Sequence, residues 1–219
     1  MQDAHILIVE DDPIAGEVLA AWARQHGAHA TCAASLSEAD AALAAGACDL
    51  ILSDVHLPGN HRLEWVERIL ARNLAPPLVL ITGNPELETT MRAANLPVAG
   101  YLVKPADLTT LSALAIRLID DHRQRREWQE LSREAVVLIN QLGPEAAVVG
   151  EKLRQLSLRL AESGSHRRRT APGEELVWRE LLVETVATLE KTKHSFRSKD
   201  LGRLRLRLEQ VLARRDAAA

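Results

Sequence analysis

The residue best placed to do chemistry in this chain is a carboxylate at the end of an apolar run. Leu50-Ile51-Leu52-Ser53 leads into Asp54 and then Val55-His56-Leu57-Pro58-Gly59. That pattern reads as a buried parallel strand carrying Asp54 to the carboxyl edge of a sheet, where open α/β folds bind their ligands. Taken alone, an Asp there is more often a turn or cap residue. Its weight comes from what three other apolar runs bring to the same edge: Glu10-Asp11-Asp12, Thr82-Gly83 and Lys104-Pro105. Clustered carboxylates repel one another unless a cation joins them, and a hard, oxygen-seeking ion such as Mg²⁺ suits one or two carboxylates with a carbonyl and waters. Metal, carboxylate nucleophile, hydroxyl and ammonium together suit phosphoryl transfer onto Asp54. The metal and Lys104 would neutralise phosphoryl oxygens, and Thr82 would donate a hydrogen bond to one of them.

The elements that must position these groups follow from hydrophobic periodicity. Strand-like runs lie at His5 to Val9, Leu50 to Ser53, Leu78 to Thr82 and Ala99 to Val103, with a further candidate at Ala28 to Ala33. Helix-period segments alternate with them at Ile14 to Gln25, Leu36 to Ala45, Leu63 to Leu74, Pro85 to Ala94 and Leu108 to Ile119. This alternation predicts an α/β fold with a doubly wound five-stranded parallel sheet. Pro13 falls at the first position of a helix that Asp12 is placed to cap.

With 219 residues and 47% hydrophobic content the chain has room for a substantial core, and because aromatics are only 3%, Leu, Ala and Val must fill it. Cys32 and Cys48 lack metal-ligand or paired-thiol spacing and read as small buried hydrophobes in a reducing compartment. No apolar run reaches the length of a membrane span, and the N-terminus enters a strand without a basic-then-apolar leader, so a soluble cytoplasmic protein without membrane contact is expected. Residues 1–119 carry 7 Lys/Arg against 14 Asp/Glu, a net of −7, whereas 120–219 carry 20 against 16, a net of +4. Two domains with different partners are the simplest reading of that asymmetry.

From about Asp3 to Asp120 the sequence resembles the receiver domain of bacterial two-component response regulators. The resemblance is carried in order by Ile8-Val9-Glu10-Asp11-Asp12-Pro13, Ser53-Asp54-Val55-His56-Leu57-Pro58-Gly59, Leu80-Ile81-Thr82-Gly83 and Tyr101-Leu102-Val103-Lys104-Pro105. It implies a flavodoxin-like receiver at residues 1–121, with Asp54 accepting a phosphoryl group from a sensor histidine kinase or a phosphotransfer protein. It further implies that Asp11 binds Mg²⁺ directly with Asp54, that Glu10 assists through water, that the His56 backbone carbonyl completes the metal site, and that Thr82 and Tyr101 form the switch. One position departs from the family pattern: Arg62 stands eight residues after Asp54, where a Gly is usual. A left-handed conformation at Arg62 would carry strain, so a different loop path is expected.

The second half reads as an all-α helical domain. The stripe Leu111, Ala115, Leu118 resumes after a polar stretch at Trp128, Leu131, Ala135 and Leu138, and Gly143-Pro144 ends it. Residues 122–163 therefore read as a helical extension and dimer stalk, with two helices bent near Asp121 as the alternative. A basic linker at 164–173 and a helical hairpin at 174–219 follow, the latter with Leu204, Leu208 and Val211 on one stripe of an Arg-rich last helix.

No glycine-rich ATPase loop, cyclic-dinucleotide synthase signature or zinc-hydrolase motif is present, so no enzymatic output is expected beyond the receiver's own phosphotransfer and dephosphorylation. Three output readings remain. The first is a phosphorylation-controlled homodimer engaging a protein partner through the helical half. The second is DNA or RNA binding through the basic last helix, which interspersed acids and the lack of stacking aromatics disfavour. The third is histidine phosphotransfer at His194, where Arg197 and Ser198 replace the Lys and Gly of that motif.

Overall fold

In the computed structural model the described residues are 1–58, 63–72 and 75–140, together with 151, 154–155, 183, 186–187 and 203–210. The chain divides into two compact units, the first spanning Met1–Gln124 and the second beginning at Arg125.

Strand and helix alternate along the first unit, whose last helix continues into the second: β1 (His5–Val9), α1 (Pro13–Gln25), β2 (His29–Ala33), α2 (Leu36–Ala45), β3 (Leu50–Asp54), α3 (Glu64–Leu70), β4 (Leu78–Thr82), α4 (Leu87–Asn95), β5 (Gly100–Val103) and α5 (Leu108–Asn140). All strands are parallel in the order β2-β1-β3-β4-β5. Each apolar run is thus a strand, as its composition predicts, and β3 and β4 are buried along their whole length. Alternation sends Ile6, Ile8, Leu50, Leu52, Val79 and Ile81 to one face, against Leu19 and Trp22 of α1 and Leu111 and Ala115 of α5. Leu7, Val9, Ile51, Leu78 and Leu80 face the other way, against Trp65, Val66 and Ile69 of α3. Gly100 is where β5 meets α5, and a Cβ there would lie 2.9 Å from Leu114 Cδ2.

Helix starts follow local chemistry. Asp12 caps α1 by accepting from the Ile14 amide at 2.8 Å, with Pro13 at the first helical position. Ser35 caps α2, and Glu38 reaches back to the Ala34 amide. Asp107 caps α5 through the amides of Thr109 and Thr110. The α3 start differs. Its flanking residue Leu63 holds φ 59 and ψ 23, a left-handed conformation, with no side-chain cap. Arg62 lies outside the described residues, and the left-handed position falls one residue after it, on a Leu that is 1% exposed. Burial of this side chain in the α3 core holds the backbone where a β-carbon is disfavoured. On α3's outer side, Asp40 of α2 accepts from Trp65 Nε1 at 3.2 Å and from Arg68 at 2.6 Å.

α5 is one continuous helical element through Asp121, so the chain does not break into two separate helices there. Arg123 donates to the carbonyls of Gln2 and Asp3 and to Asp49 Oδ2 at 3.1 Å. Asp49, 4% exposed, also accepts from the His5 amide at 2.9 Å. Burial pushes the Asp49 carboxyl up, but the Arg123 hydrogen bond, the His5 amide and the Arg123 charge outweigh it and hold the pKa below the ordinary value.

In the second unit, Trp128, Leu131 and Ala135 of α5 are buried, as are Leu204 and Leu208 of the helical stretch 203–210, and Arg207 pairs with Glu134 at 2.7 Å. The linker 164–173, most of the stalk beyond α5 and most of the hairpin, including His194, lie outside the described residues.

Candidate functional site at the carboxyl edge of the sheet

The strand order reverses between β1 and β3, and the crevice at such a switch point receives the residues that follow each strand. β1 runs into Glu10, β3 ends on Asp54, β4 ends on Thr82 and β5 runs into Lys104. Lys104 Nζ lies 2.6 Å from both Glu10 Oε2 and Asp54 Oδ2. The other Asp54 oxygen, Oδ1, accepts from the His56 amide at 2.9 Å. Asp54 is 8% exposed and Glu10 5%, while Asp11 is open to solvent.

These contacts divide the two buried acids. Burial raises Glu10, and its bond to Lys104 does not fully offset that cost and the neighbouring charge of Asp54. Burial also pushes Asp54 up, but Lys104 and the His56 amide outweigh it and hold the carboxyl below its ordinary value. Lys104 is pushed down by burial and more than recovered by its two carboxylate partners, so its ammonium is retained. Of the two buried acids, Asp54 is thus the one whose carboxylate form the surrounding contacts favour more.

Glu10, Asp11 and Asp54 offer carboxylate oxygens that all lie within 4.8 Å of one another. Lys104 is the ammonium that joins two of the three acids, which leaves the cluster net negative. An all-oxygen donor set with one exposed member fits a hard divalent ion that keeps several waters.

The two residues expected to act as a switch are engaged with other partners. Thr82 is fully buried, and its hydroxyl donates to the Asn84 carbonyl at 3.1 Å while accepting from the Asn84 amide at 3.2 Å, so its proton is committed away from Asp54. Tyr101 is half-buried, with its hydroxyl 3.2 Å from Thr90 Oγ1. Two features escaped the sequence reading. Glu10 bonds Lys104 directly, and the His56 ring reaches the Asn84 carbonyl at 2.8 Å. Nothing in the spacing marks either contact, because both depend on side chains meeting across the crevice.

A doubly wound parallel sheet with acids and a lysine converging at its switch point defines a flavodoxin-like α/β domain. The chain belongs to the response regulator receiver family, whose domain model matches residues 6–116. It is 27% identical over 151 residues to the DNA-binding transcriptional regulator NtrC of Salmonella typhimurium, covering 69% of this chain and 30% of that protein. It is also 27% identical over 164 residues to the C4-dicarboxylate transport transcriptional regulatory protein DctD of Rhizobium meliloti, covering 72% and 35%. With the transcriptional regulatory protein MalR of Bacillus subtilis the identity is 28% over 125 residues, covering 56% and 52%. The chain thus spans from about a third to about half the length of these relatives. Among solved structures, the signal receiver domain of an HD domain-containing protein from Pseudomonas fluorescens Pf-5 superposes with a TM-score of 0.52 at 24% identity, over 56% of this chain and 98% of that one, and shares the fold. No helix among the described residues is long and apolar enough to cross a membrane.

Proposed function

We propose that this chain is a phosphorylation-controlled regulator in which Asp54 accepts a phosphoryl group from the phosphohistidine of a sensor kinase or a phosphotransfer protein. The observation that carries the reading is Asp54 itself, buried, with one oxygen on the Lys104 ammonium and the other on the His56 amide. A carboxylate oxygen of Asp54 forms the new bond to phosphorus as the P–N bond of phosphohistidine breaks, and the electron pair leaves on the imidazole nitrogen. Lys104 stays paired with the added negative charge, and Thr82 turns its hydroxyl from Asn84 toward a phosphoryl oxygen. Asp11 and Asp54 would hold Mg²⁺ with the His56 carbonyl, and Glu10 through water. When bound, the ion supplies positive charge against the phosphoryl oxygens. Tyr101, hydrogen-bonded to Thr90, then repositions as Thr82 moves, which changes the β5 and α4 surface.

The helical half reads that change as a homodimer or through a protein partner. The named relatives are transcriptional regulators, which supports a second reading, nucleic-acid binding through the last helix. Against it, Arg207 is paired with Glu134, Arg205 lies 3.6 Å from Glu209, and Arg203 is also engaged.

The test is light scattering of the full chain with and without Mg²⁺ and beryllofluoride, alongside mass measurement after treatment with a small acyl phosphate. Gain of one base-labile phosphoryl group in the parent but not in Asp54→Asn, with a mimic-dependent change of assembly in the parent alone, is expected. Equal phosphorylation of Asp54→Asn refutes the acceptor assignment, and steep salt dependence of DNA or RNA binding would favour the second reading.

A further inference from the structure

The Asn84 carbonyl is over-subscribed. It faces the His56 Nε2 at 2.8 Å, the Glu86 amide at 3.0 Å and the Thr82 hydroxyl at 3.1 Å. A carbonyl oxygen has two lone pairs and no proton, so the His56 ring must be the donor through Nε2–H, and three donors share two acceptor sites. Of the three, the imidazole makes the shortest contact. The same residue's backbone amide bonds Asp54 Oδ1, so His56 ties the loop after β3, and through it the reacting carboxylate, to the loop after β4.

We infer that the His56 side chain is a positioning residue for the switch: by holding the Asn84 carbonyl it keeps the β4–α4 loop in place and frees the Thr82 hydroxyl to turn toward the acceptor site. This rests on the acceptor reading of Asp54. With His56 and Glu86 satisfying both lone pairs, departure of the Thr82 proton leaves no carbonyl unpaired, and the turn loses little. Without the ring, Thr82 becomes the second donor to that carbonyl. Its departure then strands a lone pair, and the loop loses its tie to the Asp54 loop.

A double-mutant cycle on the full chain tests the assignment, with Mg²⁺-dependent beryllofluoride affinity as the readout. His56→Ala is expected to weaken the mimic about five-fold, as loss of one hydrogen bond between neutral groups does. His56→Gln, which places an amide N–H at the reach of Nε2, restores most of the affinity. In a Thr82→Ala background the His56→Ala effect becomes distinctly smaller, because no hydroxyl remains to be released and only the tie between the loops is lost. An unchanged affinity in His56→Ala, or the same loss with and without the Thr82 hydroxyl, overturns the positioning role and leaves the acceptor reading intact. A parent chain that binds no mimic overturns both.

Amide hydrogen exchange on the unmodified chain gives an independent reading should His56→Ala fail to fold. On mimic binding the Asn84 amide, which donates to Thr82 Oγ1, should exchange faster, while the Glu86 amide on the Asn84 carbonyl keeps its protection. Joint loss of both protections would mean that the ring does not hold the loop, and unchanged protection of Asn84 would mean that Thr82 does not turn.

Discussion

Replacing Lys104 with Met isolates the energetics of the crevice. The ammonium contacts Glu10 and Asp54 at 2.6 Å each, and the three side chains are 27%, 2% and 10% exposed in that order. Lys104→Met keeps the length of the side chain and leaves two buried acids facing one another without a counter-charge. Breaking a buried pair costs about 3–5 kcal/mol, and the quarter-exposed lysine puts this case near the lower end, at about 3 kcal/mol near neutral pH. In the parent, Asp54 is held below 3.8, so its contribution is present above that value and is lost as pH falls through its folded pKa. In the variant both acids lose the partner that lowers them. A carboxyl raised in the folded state contributes stability below its ordinary value, 4.5 for Glu10, and loses it as pH rises through the folded pKa. The parent–variant gap therefore narrows as pH falls toward the ordinary carboxylate range. Mg²⁺ should narrow it too: at about 100 times its dissociation constant a ligand adds ~2.7 kcal/mol, and the variant offers the ion an uncontested cluster. Urea unfolding of both proteins over a pH series, with and without Mg²⁺, measures all three effects. A loss below about 0.5 kcal/mol near neutral pH, the range of an exposed surface pair, or a gap that widens in acid, would refute this account of the site.

Two further predictions concern the scaffold. Asp49→Ala should cost about 2 kcal/mol near neutral pH by stripping a buried acceptor from the His5 amide and Arg123. Since Asp49 is held below its ordinary value of 3.8, that cost should fade as pH falls through its folded pKa, and a cycle with Arg123→Ala in urea unfolding should show coupling. Leu63→Gly relieves about 1–2 kcal/mol of left-handed strain but empties a site that is 1% exposed, and the cavity costs about 2–5 kcal/mol. Thermal unfolding should therefore show a net loss. A more stable Leu63→Gly chain would mean that strain, not packing, dominates at the start of α3.

Glu10 illustrates how stability and chemistry pull apart here. Its carboxyl is raised by burial and by the charge of Asp54, so at neutral pH it is a cost to the apo fold that a bound cation would offset. Such a group is expected where a site is built for a ligand rather than for stability.

Much of this architecture is determined by the sequence itself. Apolar runs of strand length alternating with helical periodicity define a parallel sheet, and the residue after each run is carried to one edge, so Glu10, Asp54, Thr82 and Lys104 converge by topology alone. Asp12 and Ser35 act as caps because a cap is a contact over two or three residues. What only the tertiary structure decides are contacts across the crevice and elsewhere within the first unit. Lys104 bonding Glu10 as well as Asp54, the His56 ring on the Asn84 carbonyl, and the Thr82 hydroxyl on that same carbonyl join residues 2 to 94 positions apart whose meeting depends on rotamers and loop paths. The left-handed residue settles on Leu63 because its side chain is buried against α3, a preference that outweighs the local cost of a β-carbon there. The polar stretch from Asp120 to Glu127 reads equally as a bend or as solvent-facing helix. The helical assignment of α5 continues through it, and within the first unit Arg123 of this stretch reaches Asp49 and the first carbonyls of the chain, partners that periodicity cannot encode.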